Sequence, residues 1–484
     1  MRWLWDGYGI HRDETLPSLK KAKRSLNKLK LTSNIIIFDL LYMRFTALIK
    51  TFFREPKGVF NMKILVVGGG GREHAIIKKI KENKAVETIY ALPGNGGIAK
   101  DAICVDIKAT DLETVSDFAI NEKIDFAIVA PDDPLVLGMV DKLEGMGIPC
   151  FGPSKRAAII EGSKAFSKDL MRNFNIPTAK YEVFDDADKA KAYIDENHAP
   201  IVIKADGLAL GKGVIIAETD IEAKDAIDKI MTEKAFGESG NKVVIEEFLE
   251  GPEVSVLAFT DGKTIVPMIS SMDHKRALDG DKGLNTGGMG VIAPNPYYTP
   301  EIAKESMETI FKPTMEAMNS LDRTFKGCLY FGLMITKDGP KVIEYNCRFG
   351  DPEAQAVLPL LESDLLDIMM DVRNEVLTPD KVKFSTDSTC CLILASNGYP
   401  QNYEKGFPIT FNCDTKDIFI AGAKIEKDQL VTSGGRVLGI TKRADNLKDA
   451  IELAYKAADD VNFDNKYYRN DIGHRALEIL DEVK

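Results

Sequence analysis

The sequence predicts an α/β protein built from several packed domains, and three observations carry that reading. Apolar, β-prone runs alternate with glycine turns and amphipathic stretches, as in "KILVVGGGGREHAIIKKIKE" from Lys63 to Glu82. Hydrophobic residues make up 44% of the 484 residues and charged residues 28%, the balance of a chain with buried cores. No tandem repeat or low-complexity linker divides the chain, so its blocks are expected to pack together.

The first 61 residues stand apart. They hold 12 Lys/Arg against 5 Asp/Glu, a net of +7, which leaves −18 for residues 62–484. Both tryptophans, Trp3 and Trp5, lie here. Asp39, Arg44 and Lys50 interrupt the apolar run "SNIIIFDLLYMRFTALIKTFF", against a membrane anchor. A secretory signal needs a shorter apolar core nearer the start, and a transit peptide should be poor in acids, whereas Asp6, Asp13 and Glu14 come early. The composition favours an appended segment, with one amphipathic helix at most, that the core does not need.

Residues 62–162 read as a parallel α/β domain. "TIYALPGNGG" and "IDFAIVAPDDPLVLGMVDKLEGMGIPCFGP" continue the strand–loop–helix alternation begun at Met62. Functional loops should then cluster at the carboxyl ends of the strands. The loop Gly68–Gly71 precedes a helix, an arrangement that presents backbone N–H groups to phosphate. Counted from Gly68 or Gly69, the sixth position is Glu73 or His74, so the third glycine of a dinucleotide fingerprint is missing. A tight turn without a ligand would read the same way.

Residues 163–387 form the second block. It opens with the helical "SKAFSKDLMRNF" and continues into "PIVIKADGLALGKGVIIA", two β-rich runs around a loop with Gly207, Gly211 and Gly213. The spacing fails the P-loop pattern, with no Ser or Thr after Lys212. Lying between strands, it suits a hairpin over phosphates, with Lys204 and Lys212 as point charges, or a plain solvated hairpin. "VVIEEFLEG" reads by itself as a core strand with an acidic edge, Glu246 and Glu247, and Glu253 follows. The polar, glycine-rich stretch Ser270–Gly290, headed by Asp273, His274, Lys275 and Arg276, is expected to be a lid or a mobile loop. "VIEYNCRFGDPE", Val342 to Glu353, ends a strand with Glu344 and Asn346 two apart and therefore on one face. Mg²⁺ takes a few hard oxygen ligands plus substrate phosphates, which that pair can supply. Residues 388–484 mix short strands with the late amphipathic helix "LKDAIELAYKAADDV" and make a small mixed α/β domain.

The net charge of −11 argues against a general nucleic-acid binder. Seven cysteines without a C-x-x-C spacing read as reduced thiols of a cytoplasmic protein, with no zinc ribbon, and the five histidines show no metal spacing.

Taken together, Lys164, the lysine of "IVIKADG", the glycine hairpin, "VIEEF" and a strand ending Glu-x-Asn resemble the ATP-grasp superfamily. Within it, "GGREHA", "PGNGG", "EGSKAFSKD", "DHKR", "NTGGMG", "NCRFGDPE" and "DIGHRAL" resemble the glycinamide ribonucleotide synthetase family from Met62 to the C-terminus. The resemblance implies an N-terminal parallel domain, an ATP-grasp domain with a glycine-loop lid subdomain at about 182–251, and a small C-terminal domain. It implies ATP, glycine and 5-phosphoribosylamine as small-molecule substrates, Mg²⁺ or Mn²⁺ as cofactor and a glycyl phosphate intermediate; a monomer is expected, and the acidic net charge and the lack of a long uninterrupted apolar run predict no nucleic-acid or membrane partner. By the same resemblance Lys164, Lys204, Gly211 and Gly213 serve the ATP phosphates, and Glu246, Glu247, Phe248 and Leu249 lie along the strand that holds adenine. Glu253 would hold the ribose. Arg348, Asp351 and Lys275 would act at glycine, with Asp273 and His274 beside them. Gly69, Gly70, Gly71, Arg72 and Asn95 would hold phosphoribosylamine, and Glu344 and Asn346 the metal.

Two departures stand out. The strand "CLYFGLMI" carries no metal-binding carboxylate, and "APDDPL" is more acidic than the "GPEAPL" form of the family. Three rival readings remain: another ATP-grasp enzyme such as a carboxylase, a nucleotide-binding regulatory module without turnover, and a dinucleotide-dependent oxidoreductase, which the missing glycine disfavours.

Overall fold

The computed structural model describes residues 61–209 and 213–482. The appended segment and Gly211 thus lie outside the described residues, Asn61 excepted.

The chain enters on β1 (Met62–Gly68), whose Ile64–Val67 are fully buried, as a strand covered on both faces requires. With β2 (Val86–Pro93), β3 (Ile103–Cys104), β4 (Phe126–Val129) and β5 (Cys150–Phe151) it forms a parallel sheet in the order β3-β2-β1-β4-β5. The order reverses direction at β1 and β4, and ligands bind at the carboxyl ends beside such a switch point. Arg72 follows β1 there and Asp132 follows β4.

The next sheet is antiparallel: β6 (Tyr181–Phe184), β7 (Ile201–Ala205), β8 (Val214–Ala217) and β9 (Val243–Glu247), in the order β6-β9-β7-β8. Ile194, Ile203, Ile227 and Ile245 make a core for it separate from the main ones, so the lid subdomain packs as its own unit. A second antiparallel sheet joins β10 (Glu253–Thr260), β11 (Ile265–Pro267), β16 (Gly327–Thr336) and β17 (Gly339–Asn346) in the order β11-β10-β16-β17. Two large cores flank these layers and run from the N-terminal sheet into the second antiparallel sheet.

The last sheet draws on both sides of the expected boundary at 387. β12 (Met272–Asp273) and β15 (Gly290–Ala293) pair onward to β18 (Ser388–Ser396), and from there to the strands Arg436–Ala444 and Ile418–Ile420. The glycine-rich stretch between β12 and β15 holds a short hairpin, β13 (Arg276–Leu278) with β14 (Lys282–Asn285).

That hairpin is tied down from the C-terminal domain. Arg469, 1% exposed, donates to Arg276 O (3.0 Å) and pairs with Asp281 (2.9 Å) and Asp471 (2.8 Å). Asn470 N donates to Asp279 (2.8 Å), Gly280 N to Asp471 (2.8 Å), and Tyr467 OH to Ala277 O (2.7 Å). These partners, about 190 residues further on in the chain, were not part of the expectation of a lid or a mobile loop.

Candidate active site

A cavity of about 770 Å³ opens where the N-terminal sheet, the lid sheet, the β10–β16–β17 sheet and the clamped hairpin meet. Its lining brings together Arg72, Lys164, Lys204, Glu246, Glu247, Phe248, Leu249, Glu253, Asp273, Lys275, Glu344, Asn346, Arg348 and Asp351, which the sequence had singled out across 280 positions.

On the lid side, Lys204 on β7 and Lys168 on the helix Lys164–Asn173 both reach Glu246 on β9, at 2.8 and 2.7 Å. All three side chains are buried, and two ammoniums on one carboxylate leave a net charge of +1 facing the cavity. Burial pulls the Lys168 pKa down to about 8, against the attraction of Glu246. Lys204 also donates to Ile343 O at 2.9 Å, which fixes its ammonium beside β17. Lys164 donates to Gly207 O at 2.5 Å, and burial lowers its pKa although Glu344 works the other way. The backbone of β9 is committed to β6 and β7 as far as Glu247, so the stretch of backbone open to a ligand begins at Phe248.

On β17, Glu344 and Asn346 share the cavity face, as their spacing required. Gly332 on β16 lies opposite Glu344 in the ladder, on the strand that carries no carboxylate. Burial raises the Glu344 pKa, but Lys275, Lys204 and Lys164 outweigh it and keep the group ionised. Lys275 stands between Glu253 (3.2 Å) and Glu344 (3.6 Å). Burial works against its ammonium, yet those two carboxylates hold its pKa well above the ordinary lysine range.

Deeper in, the guanidinium of Arg348 pairs with Glu161 (2.9 Å) and Asp132 (3.8 Å), and its Nε is buried without a partner. Asp351 accepts from Gln355 Nε2 (2.8 Å) and lies 3.3 Å from Arg436. Despite its burial, Arg436 and Arg72 hold its carboxyl below the usual range. Arg436 reaches in from the C-terminal domain and donates to Gly287 O (2.6 Å) and Asp351 O (2.7 Å). Arg72 pairs with Glu73 (2.7 Å) and donates to Phe349 O (3.0 Å). Burial and the nearby Glu353 push the Asp273 carboxyl well up, and its Oδ1 is buried without a partner.

Family models for all three domains of phosphoribosylglycinamide synthetase match the chain: the N domain at residues 62–161, the ATP-grasp (A) domain at 162–354 and the C domain at 389–475. The chain is 47% identical to the phosphoribosylamine–glycine ligase of Caldanaerobacter subterraneus subsp. tengcongensis over 413 residues, 85% of this chain and 99% of that one. It is 46% identical to the Halalkalibacterium halodurans ligase of the same name, over 86% of this chain and 97% of that one. The chain belongs to the phosphoribosylglycinamide synthetase family. The crystal structure of the Thermotoga maritima phosphoribosylamine–glycine ligase superimposes with a TM-score of 0.76 at 30% identity, over 85% of this chain and all of that one. The biotin carboxylase of Campylobacter jejuni, at 13% identity and a TM-score of 0.64 over 84% of this chain and 92% of that one, shares the fold alone.

Within this synthetase fold, several expected site residues lie outside the cavity lining. Asn95 spends its amide on backbone: its oxygen accepts from Gly97 N (2.8 Å) and Ile98 N (2.9 Å), and its nitrogen donates to Gly69 O (3.0 Å) and Ile420 O (2.8 Å). His274 is buried between Gly290 O (3.1 Å from Nδ1) and Gly473 N (3.1 Å from Nε2), one neutral tautomer serving both, and burial pulls its pKa down to about 4. Gly69, Gly70 and Gly71 form the turn behind Arg72. The turn is tight: a Cβ on Gly69 would lie 2.3 Å from Gly94 O. Gly213 begins the return to β8, its carbonyl accepting from Ala205 N (2.8 Å).

Conversely, the cavity includes Glu161, Lys168, Asp132 and Arg436, which were not assigned from sequence. The signal for the first two was present in "EGSKAFSKD": each is an ionisable residue whose helix turns it inward, and a buried charge needs a partner.

Proposed function

We propose that the chain joins glycine to 5-phosphoribosylamine at the expense of ATP, giving glycinamide ribonucleotide, ADP and phosphate. The observation that carries this reading is the convergence in one cavity of a cationic lid pair, an ionised Glu344 beside Asn346, and the arginines Arg72, Arg348 and Arg436. Such a set suits phosphoryl transfer, which needs positioning and charge neutralisation more than covalent help.

In this reading the adenine lies against the backbone from Phe248 to Leu249, with Glu253 at the ribose and Lys204 and Lys164 at the phosphates. The glycine carboxylate attacks the γ-phosphorus and ADP leaves, giving glycyl phosphate. The amine of phosphoribosylamine then attacks the glycyl carbonyl and phosphate departs. Arg348 orients glycine through its guanidinium, and Asp351 holds the amino end. Arg72 and the turn Gly69–Gly71 bring the ribosylamine from the N-terminal domain. The lid keeps water from the acyl phosphate.

Glu344 and Asn346 fit a divalent cation, Mg²⁺ or Mn²⁺: both offer hard oxygen on one strand face, and the carboxylate is kept anionic by its lysine neighbours. Among the described residues no group of three or more His, Cys, Asp or Glu is arranged to hold a metal. When bound there, the cation neutralises phosphate charge as it develops.

The seven cysteines are all free thiols, which supports a reducing compartment, the cytoplasm. No helix among the described residues is long and apolar enough to cross a membrane.

The test is ADP release measured with each substrate omitted in turn. Release that needs both glycine and phosphoribosylamine is expected. Equal release without glycine, or release driven by bicarbonate, would overturn the reading.

A further inference from the structure

One buried carboxylate gathers three consecutive residues at the end of β17. Glu161 lies near the end of the helix Lys155–Gly162 and is 8% exposed. Its Oε2 accepts from Cys347 N at 2.7 Å. Its Oε1 accepts from Arg348 Nη2 at 2.9 Å and lies 2.9 Å from the Asn346 amide, whose nitrogen is assigned to that corner because both neighbours there, Glu161 Oε1 and Tyr345 O, are acceptors. The same Asn346 nitrogen donates to Tyr345 O at 3.2 Å. An amide nitrogen has two hydrogens, and here both are claimed. The side chain is left with one orientation, and its oxygen takes the other corner, on the strand face shared with Glu344. An amide side chain could not hold this arrangement, because its single oxygen cannot accept at both places where the three donors stand.

We propose that Glu161 is a positioning residue: it turns the Asn346 amide so that oxygen rather than N–H meets the divalent cation, and it aligns Arg348 through the same oxygen. This rests on the reading of Glu344 and Asn346 as cation ligands. The reasoning for Glu161→Gln is direct. The buried Cys347 N–H must keep an acceptor, so the glutamine oxygen stays with it and the new NH₂ faces Asn346 and Arg348. Asn346 then has to turn its own oxygen toward that NH₂ and its hydrogens toward the cation. Replacing Asn346 by Asp at the same time restores an oxygen to both sides.

The experiment measures Mn²⁺ binding in the presence of ATP, without glycine or phosphoribosylamine, from the electron paramagnetic resonance of free Mn²⁺, using the full chain. E161Q should weaken Mn²⁺ binding roughly 10- to 100-fold, the usual range for loss of a group that orients a ligand. Metal-free ATP should bind as before, and E161Q/N346D should recover to within a few-fold of the original protein. Glu344→Gln is run alongside. If it leaves Mn²⁺ binding unchanged, the cation site is misassigned and the role of Glu161 falls with it. If it weakens binding and E161Q does not, the positioning role alone is overturned. Should E161Q not fold, the double variant is compared with N346D, in which two carboxylates oppose each other. Tighter Mn²⁺ binding by the double variant is expected. Equal or weaker binding, or a double variant that fails to fold where N346D folds, overturns the proposal.

Discussion

Replacing Gly332 by alanine should cripple turnover while leaving the fold about as stable as before. Gly332 sits on β16 directly across from Glu344. A methyl carbon there would lie 2.9 Å from Glu344 Cγ, with its next neighbours, Glu344 O and Tyr330 Cε1, at 3.5 Å. Carbon–carbon contact becomes comfortable at about 3.5 Å, so Glu344 Cγ has to retreat by roughly 0.6 Å. The backbone at Gly332 needs no left-handed conformation, so alanine gains about 0.5–1 kcal/mol over glycine in the strand. The displaced glutamate costs about 0.5–1.5 kcal/mol in rotamer strain, and the two nearly cancel. Catalysis is less forgiving. A functional constellation tolerates about 0.5 Å, and a 1 Å misplacement can cost about 100-fold, so turnover should fall between about 10- and 100-fold. The Mg²⁺ concentration for half-maximal rate should rise with it. ADP release across a Mg²⁺ titration, beside a thermal melt, measures both. A G332A protein with the original rate and Mg²⁺ dependence would refute the placing of Glu344 at the cation. A variant that lost its fold would refute the claim that only a flexible side chain stands in the way.

Lys168→Met should weaken ATP binding about tenfold, because the buried trio with Glu246 and Lys204 falls from +1 to neutral. In the unaltered protein ATP affinity should decline as pH rises through about 8, where Lys168 loses its proton, and the variant should lack that step. An unchanged dissociation constant by calorimetry would sink the idea. His274→Gln bears on acid stability: a histidine held at about 4 when folded, against about 6.5 unfolded, binds fewer protons folded than unfolded between those pH values. It therefore costs stability progressively as pH falls from 6.5 to 4, by roughly 3 kcal/mol in all, and the urea-unfolding difference between the two proteins should shift by about that much. Arg469→Met should leave ATP binding intact but speed amide exchange across 276–285 by tenfold or more, since Asp281 and Asp471 lose a buried partner. Unaltered exchange there would show that the hairpin does not depend on the clamp.

Some of this architecture can be read from local spacing. Glu344 and Asn346 share a face because strand side chains alternate, and Lys204 ends a strand whose pattern is plain. Other parts rest on partners that no local period connects. Glu161 meets Cys347 across 186 positions, and Arg436 meets Asp351 across 85. Asn95 and His274 raise a different difficulty: the groups that could grip a substrate are equally suited to satisfying buried backbone, as both do here, and the sequence shows neither partner. The polar Ser270–Gly290 stretch has the composition of a free loop, and distant residues such as Arg469, Asn470 and Tyr467 make it a wall.

The clamp on that stretch also sets an order of events as the chain is made. Asn470 follows Asp279 by 191 residues, which at about 5–20 residues per second is a wait of roughly ten to forty seconds on the ribosome. Throughout it the wall of the cavity has been synthesised without its anchors. The two aspartates, the glycine and the lysine from Asp279 to Lys282 suit such a wait, because they stay hydrated and present no apolar run for another chain to pair with. Arg469, once it emerges, closes a cavity whose lining lysines were laid down long before.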